Sequence, residues 1–84
     1  MRWQDHIEVN PKVAFGKPVI AGTRIPVYMV LELVEADYTP QQIVTDFYPT
    51  LTEDDIRACI RYATDLTRNE VIIFAREAAV AVIG

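Results

Sequence analysis

The sequence has 84 residues, which suffices for one small domain, and it contains a single cysteine, so no disulfide can form within one chain. The formal net charge of −4 argues mildly against nucleic acid as the default partner, whereas a hydrophobic fraction of 51% in so small a chain suggests an interface with another chain. We expect a cytoplasmic protein without a secretory leader or a membrane span, because the first residues lack an apolar segment and the apolar residues 71–83 are fewer than the roughly 20 that a bilayer requires.

The first predicted element is a two-stranded hairpin. Residues 7–9 alternate apolar and polar side chains and end at Asn10 and Pro11, which is a turn signal, and residues 18–20 form a second extended run. Glycine adopts a positive φ angle at no steric cost, which suits turns around the second run. The predicted turn residues are Gly16, Gly22, Thr23 and Arg24, and we expect hydrogen bonds from Thr23 and Arg24 to fix the corner from which a helix starts at Pro26.

Three helices are predicted after this corner. The first carries Val27, Val30, Leu31 and Val34 at helical spacing, and Asp37 is expected to end it in the left-handed conformation. The second begins with a capping box formed by Thr39 and Gln42, with Pro40 at its first position. We expect it to end before Pro49.

The third predicted helix repeats this capping pattern, with Thr52 as the N-cap and Asp55 at the third helical position. Its apolar stripe consists of Ile56, Cys59, Ile60, Ala63 and Leu66, and we expect Ile60 at the centre of a three-helix core. A short helix, a turn and a longer helix are typical of a helix-turn-helix.

The sequence offers little that could catalyse a reaction. His6, the only histidine, lies beside Asp5 and is expected to be an ordinary surface residue rather than half of a functional pair. Cys59 is expected to be a small core residue. One histidine and one cysteine do not make a metal-binding set, so we expect no catalytic residues, no cofactor and no metal.

Basic residues provide a candidate nucleic-acid surface. Its members are Lys12, Lys17 and Arg24 near the N-terminus and Arg57, Arg61 and Arg68 on one face of the third helix. However, the third helix begins with three acidic residues. In a helix-turn-helix this N-terminal end reads the bases, and acidic side chains there would repel the DNA phosphates. The alternative is a solvated face with ion pairs between Glu53 and Arg57 and between Arg61 and Asp65.

The predicted domain covers residues 1–66, and residues 67–84 form an apolar C-terminal segment. This segment has more apolar side chains than three short helices can easily cover, so we expect it to contact a second subunit or a partner protein. The candidate contact residues are Val71, Ile72, Ile73, Phe74, Arg76, Val80 and Ile83. Packing of the segment on its own domain is the alternative.

Two stretches of the chain resemble a known family. The run Gly16-Lys17-Pro18-Val19-Ile20-Ala21-Gly22-Thr23-Arg24-Ile25-Pro26-Val27 and the later Tyr48-Pro49-Thr50-Leu51-Thr52 are similar to the signature of the bacterial family called domain of unknown function 433, over about residues 6–66. The family usually has glycine after the first helix, where this chain has Asp37. The resemblance implies a mainly helical fold with a homeodomain-like three-helix core.

The resemblance also implies an antitoxin-like protein of a type II toxin–antitoxin pair, since genes beside family members often encode a PIN-like nuclease. The leading hypothesis is therefore a homodimeric antitoxin that neutralises such a toxin and binds operator DNA. Arg76 would neutralise the carboxylates that hold the nuclease's catalytic metal. The alternative is a non-catalytic, homo-oligomeric interaction module that does not bind DNA.

Overall fold

The computed structural model describes residues 1–69, which form a mainly helical fold with one small antiparallel sheet. The elements are β1 at Ile7–Glu8, β2 at Val19–Ile20, α1 at Val27–Glu35, α2 at Pro40–Asp46 and α3 at Glu53–Asn69, with short 3-10 turns at Trp3–Asp5 and Ala14–Gly16. The predicted hairpin and three helices are confirmed. The expectations for Val71 to Ile83 lie outside the described residues. No helix within residues 1–69 is long and apolar enough to cross a membrane.

The sheet is short, but its second strand is paired on both sides. Ile7 lies opposite Ile20 and Glu8 opposite Val19 in the antiparallel register. The chain then reverses through residues 21–24, and Val19 forms an isolated bridge with Pro26 on its other side. Both residues of β2 are buried, and Ile7 of β1 is buried opposite Ile20, so both strands contribute to the core.

The predicted helix ends are confirmed, with one adjustment. Both capping boxes form, because the backbone N–H of Gln42 donates to Thr39 Oγ1 at 3.1 Å and that of Asp55 donates to Thr52 Oγ1 at 3.1 Å. Asp37 adopts the expected positive φ, of 72°. Pro26 is the N-cap of α1 rather than its first helical residue, since its bridge with Val19 requires an extended conformation.

The core joins β2 to all three helices. Its buried members are Ile7, Ile20, Val27, Val30, Ile43, Leu51, Ile56, Ala58 and Cys59. Burial of an aliphatic side chain of this size contributes about 1.5–3 kcal/mol, so this cluster is the main source of stability among the described elements.

The expectation for Ile60 is wrong, because this residue is only half-buried and lies outside the core cluster. Successive helical residues are about 100° apart, which puts Cys59 about 60° to one side of Ile56 and Ile60 about 40° to the other. The buried face of α3 is turned towards Cys59 and Ala58, since the N-terminal segment, residues 3–6, packs on that flank. Leu66, also predicted on the stripe, is 42% exposed.

We expect Ile56→Ala to lower the free energy of unfolding by about 2–5 kcal/mol, because it removes a fully buried side chain and leaves a cavity. Ile60→Ala is the matched control and should cost less than half as much. Urea denaturation of both variants tests this. Equal losses, or a larger loss for Ile60→Ala, would contradict the observed rotation of α3.

Candidate functional site

The turn between β2 and α1 is fixed by Thr23. Its hydroxyl donates to the carbonyl of Ile20 at 2.7 Å and accepts from the N–H of Ile25 at 3.0 Å. Gly22 has a φ of 78°, and a Cβ placed there would meet no atom within 4 Å, so conformation rather than packing requires glycine. The turn roles of Gly22 and Thr23 are confirmed, as is that of Gly16, with a φ of 80°.

Arg24 does not help to fix this corner, which corrects the prediction. Its side chain is exposed and forms no hydrogen bond or ion pair with any other residue of 1–69. The hydroxyl of Thr23 binds the backbone groups on both sides of the turn, so the corner is held without a guanidinium. Arg24 is therefore available for a ligand or for contact with the rest of the chain.

The loop between the strands presents a fully exposed aromatic side chain, which the sequence reasoning missed. Phe15 is 99% exposed, and Ala14, Phe15 and Gly16 have successive positive φ angles of 51°, 56° and 80°. This conformation costs non-glycine residues roughly 1–2 kcal/mol each. Backbone hydrogen bonds from Gly16 to Val13 and from Lys17 to Ala14 hold the strained loop in place. Strain that presents an unpacked phenylalanine to solvent is typical of a functional loop.

His6 makes an unpredicted connection between the N-terminal segment and α3. Its Nδ1 lies 2.8 Å from Asp55 Oδ1, and a carboxylate accepts only, so the ring nitrogen is the donor. The second carboxylate oxygen of Asp55 accepts from the N–H of Thr52 at 2.9 Å. His6 is thus partly buried and paired with Asp55, rather than being an ordinary surface residue beside Asp5.

The pKa of Asp55 reflects these contacts. Burial raises the pKa of this carboxyl, but the hydrogen bonds from His6 and Thr52 and the attraction of His6 together outweigh burial, so it lies below its ordinary value of 3.8. The ionised carboxylate is therefore part of the folded structure. Asp55 combines two roles, capping α3 and binding the N-terminal segment.

Trp3 makes a second contact of this kind, ten residues further along α3. Its indole Nε1 donates to Asp65 Oδ2 at 2.8 Å, and its ring packs edge-on against Tyr62 with centroids 4.9 Å apart. The hydrogen bond from Trp3 lowers the pKa of Asp65 against partial desolvation, and the hydrogen bond from Arg61 and the positive charges of Arg61 and Arg68 lower it further. The N-terminal segment is thereby attached to α3 at two points.

Cys59 is a core residue, as predicted. It is fully buried, and burial together with the nearby charge of Asp55 raises the pKa of its thiol to about 12. The thiol therefore stays protonated at neutral pH and is not a nucleophile. Among residues 1–69, no group of three or more His, Cys, Asp and Glu side chains is placed to hold a metal ion.

The candidate basic residues separate into two sets. Arg57 contacts Glu53 at 3.2 Å and Asp54 at 3.6 Å, and Arg61 contacts Asp65 at 3.1 Å, so the predicted ion pairs of a solvated face are present. The other candidates, Lys12, Lys17, Arg24 and Arg68, are exposed and form no ion pair within residues 1–69. Lys12 and Lys17 flank Phe15 in the loop, whereas Arg24 lies in the turn at the opposite end of the sheet.

An apolar groove lies where the loop meets α1 and α3. It has a volume of about 340 Å³ and is lined by Lys17, Pro18, Val27, Tyr28, Leu31, Tyr62 and Leu66. Tyr28 and Leu66 are 49% and 42% exposed, so the groove opens to solvent. Lys17 connects this groove to the Phe15 loop, because it belongs to both.

Comparison with known proteins identifies the family. The model of the family described as Protein of unknown function (DUF433) matches residues 7–63, which include the hairpin, the Gly22–Thr23 turn and the start of α3. The chain belongs to the DUF433 family. No curated protein matches the sequence.

A solved structure supports the fold. The crystal structure of a DUF433 member protein from Anabaena variabilis ATCC 29413 is similar with a TM-score of 0.64 and 27% sequence identity. The similarity covers 79% of this chain and 61% of that one, so this chain matches less than two thirds of its DUF433 relative.

We expect Asp55→Ala to lower the free energy of unfolding at pH 7 by about 1–3 kcal/mol, because it leaves the partly buried His6 and the N–H of Thr52 without an acceptor. A lowered carboxyl pKa contributes stability above the unfolded value and loses it as the pH falls. The difference from wild type should therefore shrink below about pH 4.

Urea denaturation between pH 2.5 and 7 measures this difference, with Asp54→Ala as the control, since Asp54 is an exposed neighbour. The control should change stability by no more than about 0.5 kcal/mol. A difference between Asp55→Ala and wild type that stays constant down to pH 2.5 would contradict the role given to the ionised carboxylate.

Proposed function

We propose that this DUF433 protein is an antitoxin-like protein of a type II toxin–antitoxin pair, which acts as a homodimer and neutralises a PIN-like nuclease. The observation that carries the proposal is the amount of apolar surface left for a partner. The exposed large apolar side chains within residues 1–69 are Met1, Val9, Phe15, Tyr28, Met29, Tyr38, Phe47 and Leu66. Surface of this kind on a small scaffold favours a protein that binds another protein.

The C-terminal segment adds to this argument by its composition. Val71, Ile72, Ile73, Phe74, Val80 and Ile83 supply apolar contact area, and Arg76 supplies a charge that suits a carboxylate cluster. A segment with apolar anchors can bind in a groove of a partner by helix or strand addition. We propose these residues as the toxin-binding segment.

Operator binding is a second and separable part of the proposal. In this part, α2 and α3 are proposed to form a homeodomain-like helix-turn-helix. The exposed cations Lys12, Lys17 and Arg24 favour contact with phosphates, since they have no carboxylate partner among residues 1–69. Arg57 and Arg61 favour it less, because their ion pairs would have to be exchanged for phosphate contacts.

The same helix favours a second candidate function, an oligomeric interaction module that does not bind DNA. Glu53, Asp54 and Asp55 occupy the first turn of α3, where a helix-turn-helix places its base-reading residues. Asp54 is exposed, and its charge would face the phosphates. The two candidates differ in one measurable property, salt-dependent binding to DNA.

Toxin neutralisation is tested by co-expression with the neighbouring reading frame. If that frame encodes a PIN-like nuclease, its induction should arrest growth and the full chain should restore it. Deletion of residues 70–84 should abolish protection, and Arg76→Ala should weaken the complex by about 2–5 kcal/mol, the cost of leaving a buried carboxylate unpaired. Asp54→Ala is the control and should protect fully.

Two results would contradict different parts of the proposal. A truncated chain that is folded by circular dichroism and still restores growth would contradict the assignment of toxin binding to the C-terminal segment. A full chain that neither restores growth nor binds the purified nuclease would contradict the antitoxin role itself.

DNA binding is tested by fluorescence anisotropy with the protein's own promoter at several salt concentrations. Affinity should fall steeply with salt, and the slope should decrease by about one for each of Lys12→Ala, Lys17→Ala and Arg24→Ala. Arg57→Ala is the matched control and should have a smaller effect, since its charge is already paired. No binding at low salt, either alone or with the toxin, would favour the interaction module instead.

A further inference from the structure

The stretch of chain around Phe15 contains no acidic residue. All twelve aspartates and glutamates lie outside residues 9–31, whereas three cations lie within this stretch. The acidic first turn of α3 is held beside His6, which precedes β1, whereas the Phe15 loop follows β1. Glu8, the acidic residue just before the loop, accepts from the N–H of Gly22 at 3.4 Å, in the turn at the other end of the sheet. The loop is therefore a cationic surface on a protein of net charge −4.

The backbone of the loop brings its two lysines close together. A Cβ placed on Gly16 would lie 3.9 Å from the Cα of Pro11, so the loop closes at these two residues. Lys12 and Lys17 each follow one of them directly, and both are exposed without an ion pair in residues 1–69. Two ammonium groups that leave the backbone so close together repel each other, and an anion between them is attracted by both. This arrangement favours an anionic ligand.

Phe15 supplies a flat apolar surface beside these cations. Its ring is 99% exposed, in a loop that backbone hydrogen bonds hold closed. It lies three residues from Lys12 and two from Lys17, so the Cα atoms are within about 11 Å and about 7 Å of that of Phe15. Cations beside an exposed aromatic ring are typical of sites for single-stranded nucleic acid, because the ring stacks on a base while the cations contact phosphates.

The apolar groove offers a place for a second base. Its volume of about 340 Å³ falls in the range of ligand pockets, about 300–1,000 Å³. Tyr28 and Tyr62 give it two aromatic side chains, and Lys17 is the one charged residue among those that line it. Lys17 thus lies between the Phe15 ring and the groove, where it suits a phosphate that links two nucleotides.

We propose that the Phe15 loop and the adjoining groove bind single-stranded nucleic acid. One base stacks on Phe15, the adjoining phosphates contact Lys12 and Lys17, and the next base enters the groove between α1 and α3. Duplex DNA fits this surface less well, because its bases are already stacked and a ring inserted between them must be compensated by a bent duplex that wraps the protein. The acidic remainder of this small chain would repel such a duplex. The site requires neither the toxin nor a helix-turn-helix, so it goes beyond the proposed function.

Fluorescence anisotropy of the purified full chain with a labelled oligothymidylate of about ten nucleotides, at low salt, tests the stacking contact. Phe15→Ala and Phe15→Leu should each raise the dissociation constant by a factor of about 5–150, since leucine keeps an apolar side chain but cannot stack on a base. Phe15→Trp keeps an aromatic ring and should bind at least as tightly as wild type. Phe47→Ala is the matched control, since Phe47 is an exposed aromatic outside the loop and the groove, and it should leave the affinity unchanged. Circular dichroism checks that each variant is folded.

The salt dependence of the same binding tests the lysines. Lys12→Ala and Lys17→Ala should each reduce the slope of log affinity against log salt by about 0.7, the value for one phosphate contact on a single strand. Arg24→Ala is the control, because Arg24 lies in the turn at the opposite end of the sheet and belongs only to the proposed operator surface. It should weaken binding to the duplex promoter and leave binding to the oligothymidylate unchanged.

Photo-crosslinking tests the groove. An oligonucleotide that carries 5-iodouracil should crosslink to Phe15 and to Tyr28 on irradiation. Tyr28→Leu should remove the second crosslink and weaken binding of the oligothymidylate, because it replaces an exposed aromatic side chain of the groove with one that cannot stack.

Three results would overturn the proposal: no binding of the wild-type chain to the oligothymidylate at low salt, a Phe15→Leu variant that binds it as tightly as wild type, or crosslinks confined to residues outside the loop and the groove. Cosedimentation with phosphatidylglycerol vesicles that Phe15→Leu retains and Phe15→Ala loses, without binding to the oligonucleotide, would assign the loop to a membrane surface instead. Since these tests of the single strand use neither the toxin nor the duplex promoter, their failure is distinct from failure of the proposed function.

Discussion

The attachment of the N-terminal segment to α3 is the constraint on which the rest of the structure depends. His6 binds Asp55 and Trp3 binds Asp65, so two hydrogen bonds of 2.8 Å span ten residues of α3, about 15 Å of helix. The contact between His6 and Asp55 joins residues that are 49 positions apart in the sequence, and the contact between Trp3 and Asp65 joins residues that are 62 positions apart. They hold β1 beside the helices, and β1 in turn fixes the register of β2 and the two turns that flank it.

Local signals in the sequence were sufficient for the secondary structure. The capping boxes of α2 and α3, the left-handed Asp37 and the Gly22–Thr23 turn are each specified within a few residues, and all are confirmed. The orientation of α3 was not predictable in the same way. Apolar spacing alone pointed to Ile60, but the N-terminal segment packs on a flank that carries Asp55 and Asp65, polar residues that no hydrophobic pattern includes.

The candidate site was predicted less completely than the fold. Charge counting found the six basic residues, and helical spacing predicted the ion pairs of Arg57 and Arg61 only as an alternative to phosphate contact; the structure shows both pairs. The sequence places Phe15 in the loop between the two strands but does not predict its exposure, and the structure shows it to be 99% exposed. A run of turn residues on both sides of it is the one signal that could have suggested its exposure.

Tyr62 links the attachment of the N-terminal segment to the apolar groove. Its ring packs against Trp3 at a centroid distance of 4.9 Å, and it lines the groove together with Leu66. The N-terminal segment therefore positions one wall of the groove, while the hydrogen bond from the N–H of Val27 to the carbonyl of Pro18 positions the other. Since both walls are set by contacts between distant parts of the chain, the groove exists only in the folded domain. A partner that binds there selects the fully assembled fold, with its N-terminus in place, over any state in which Trp3 has left α3.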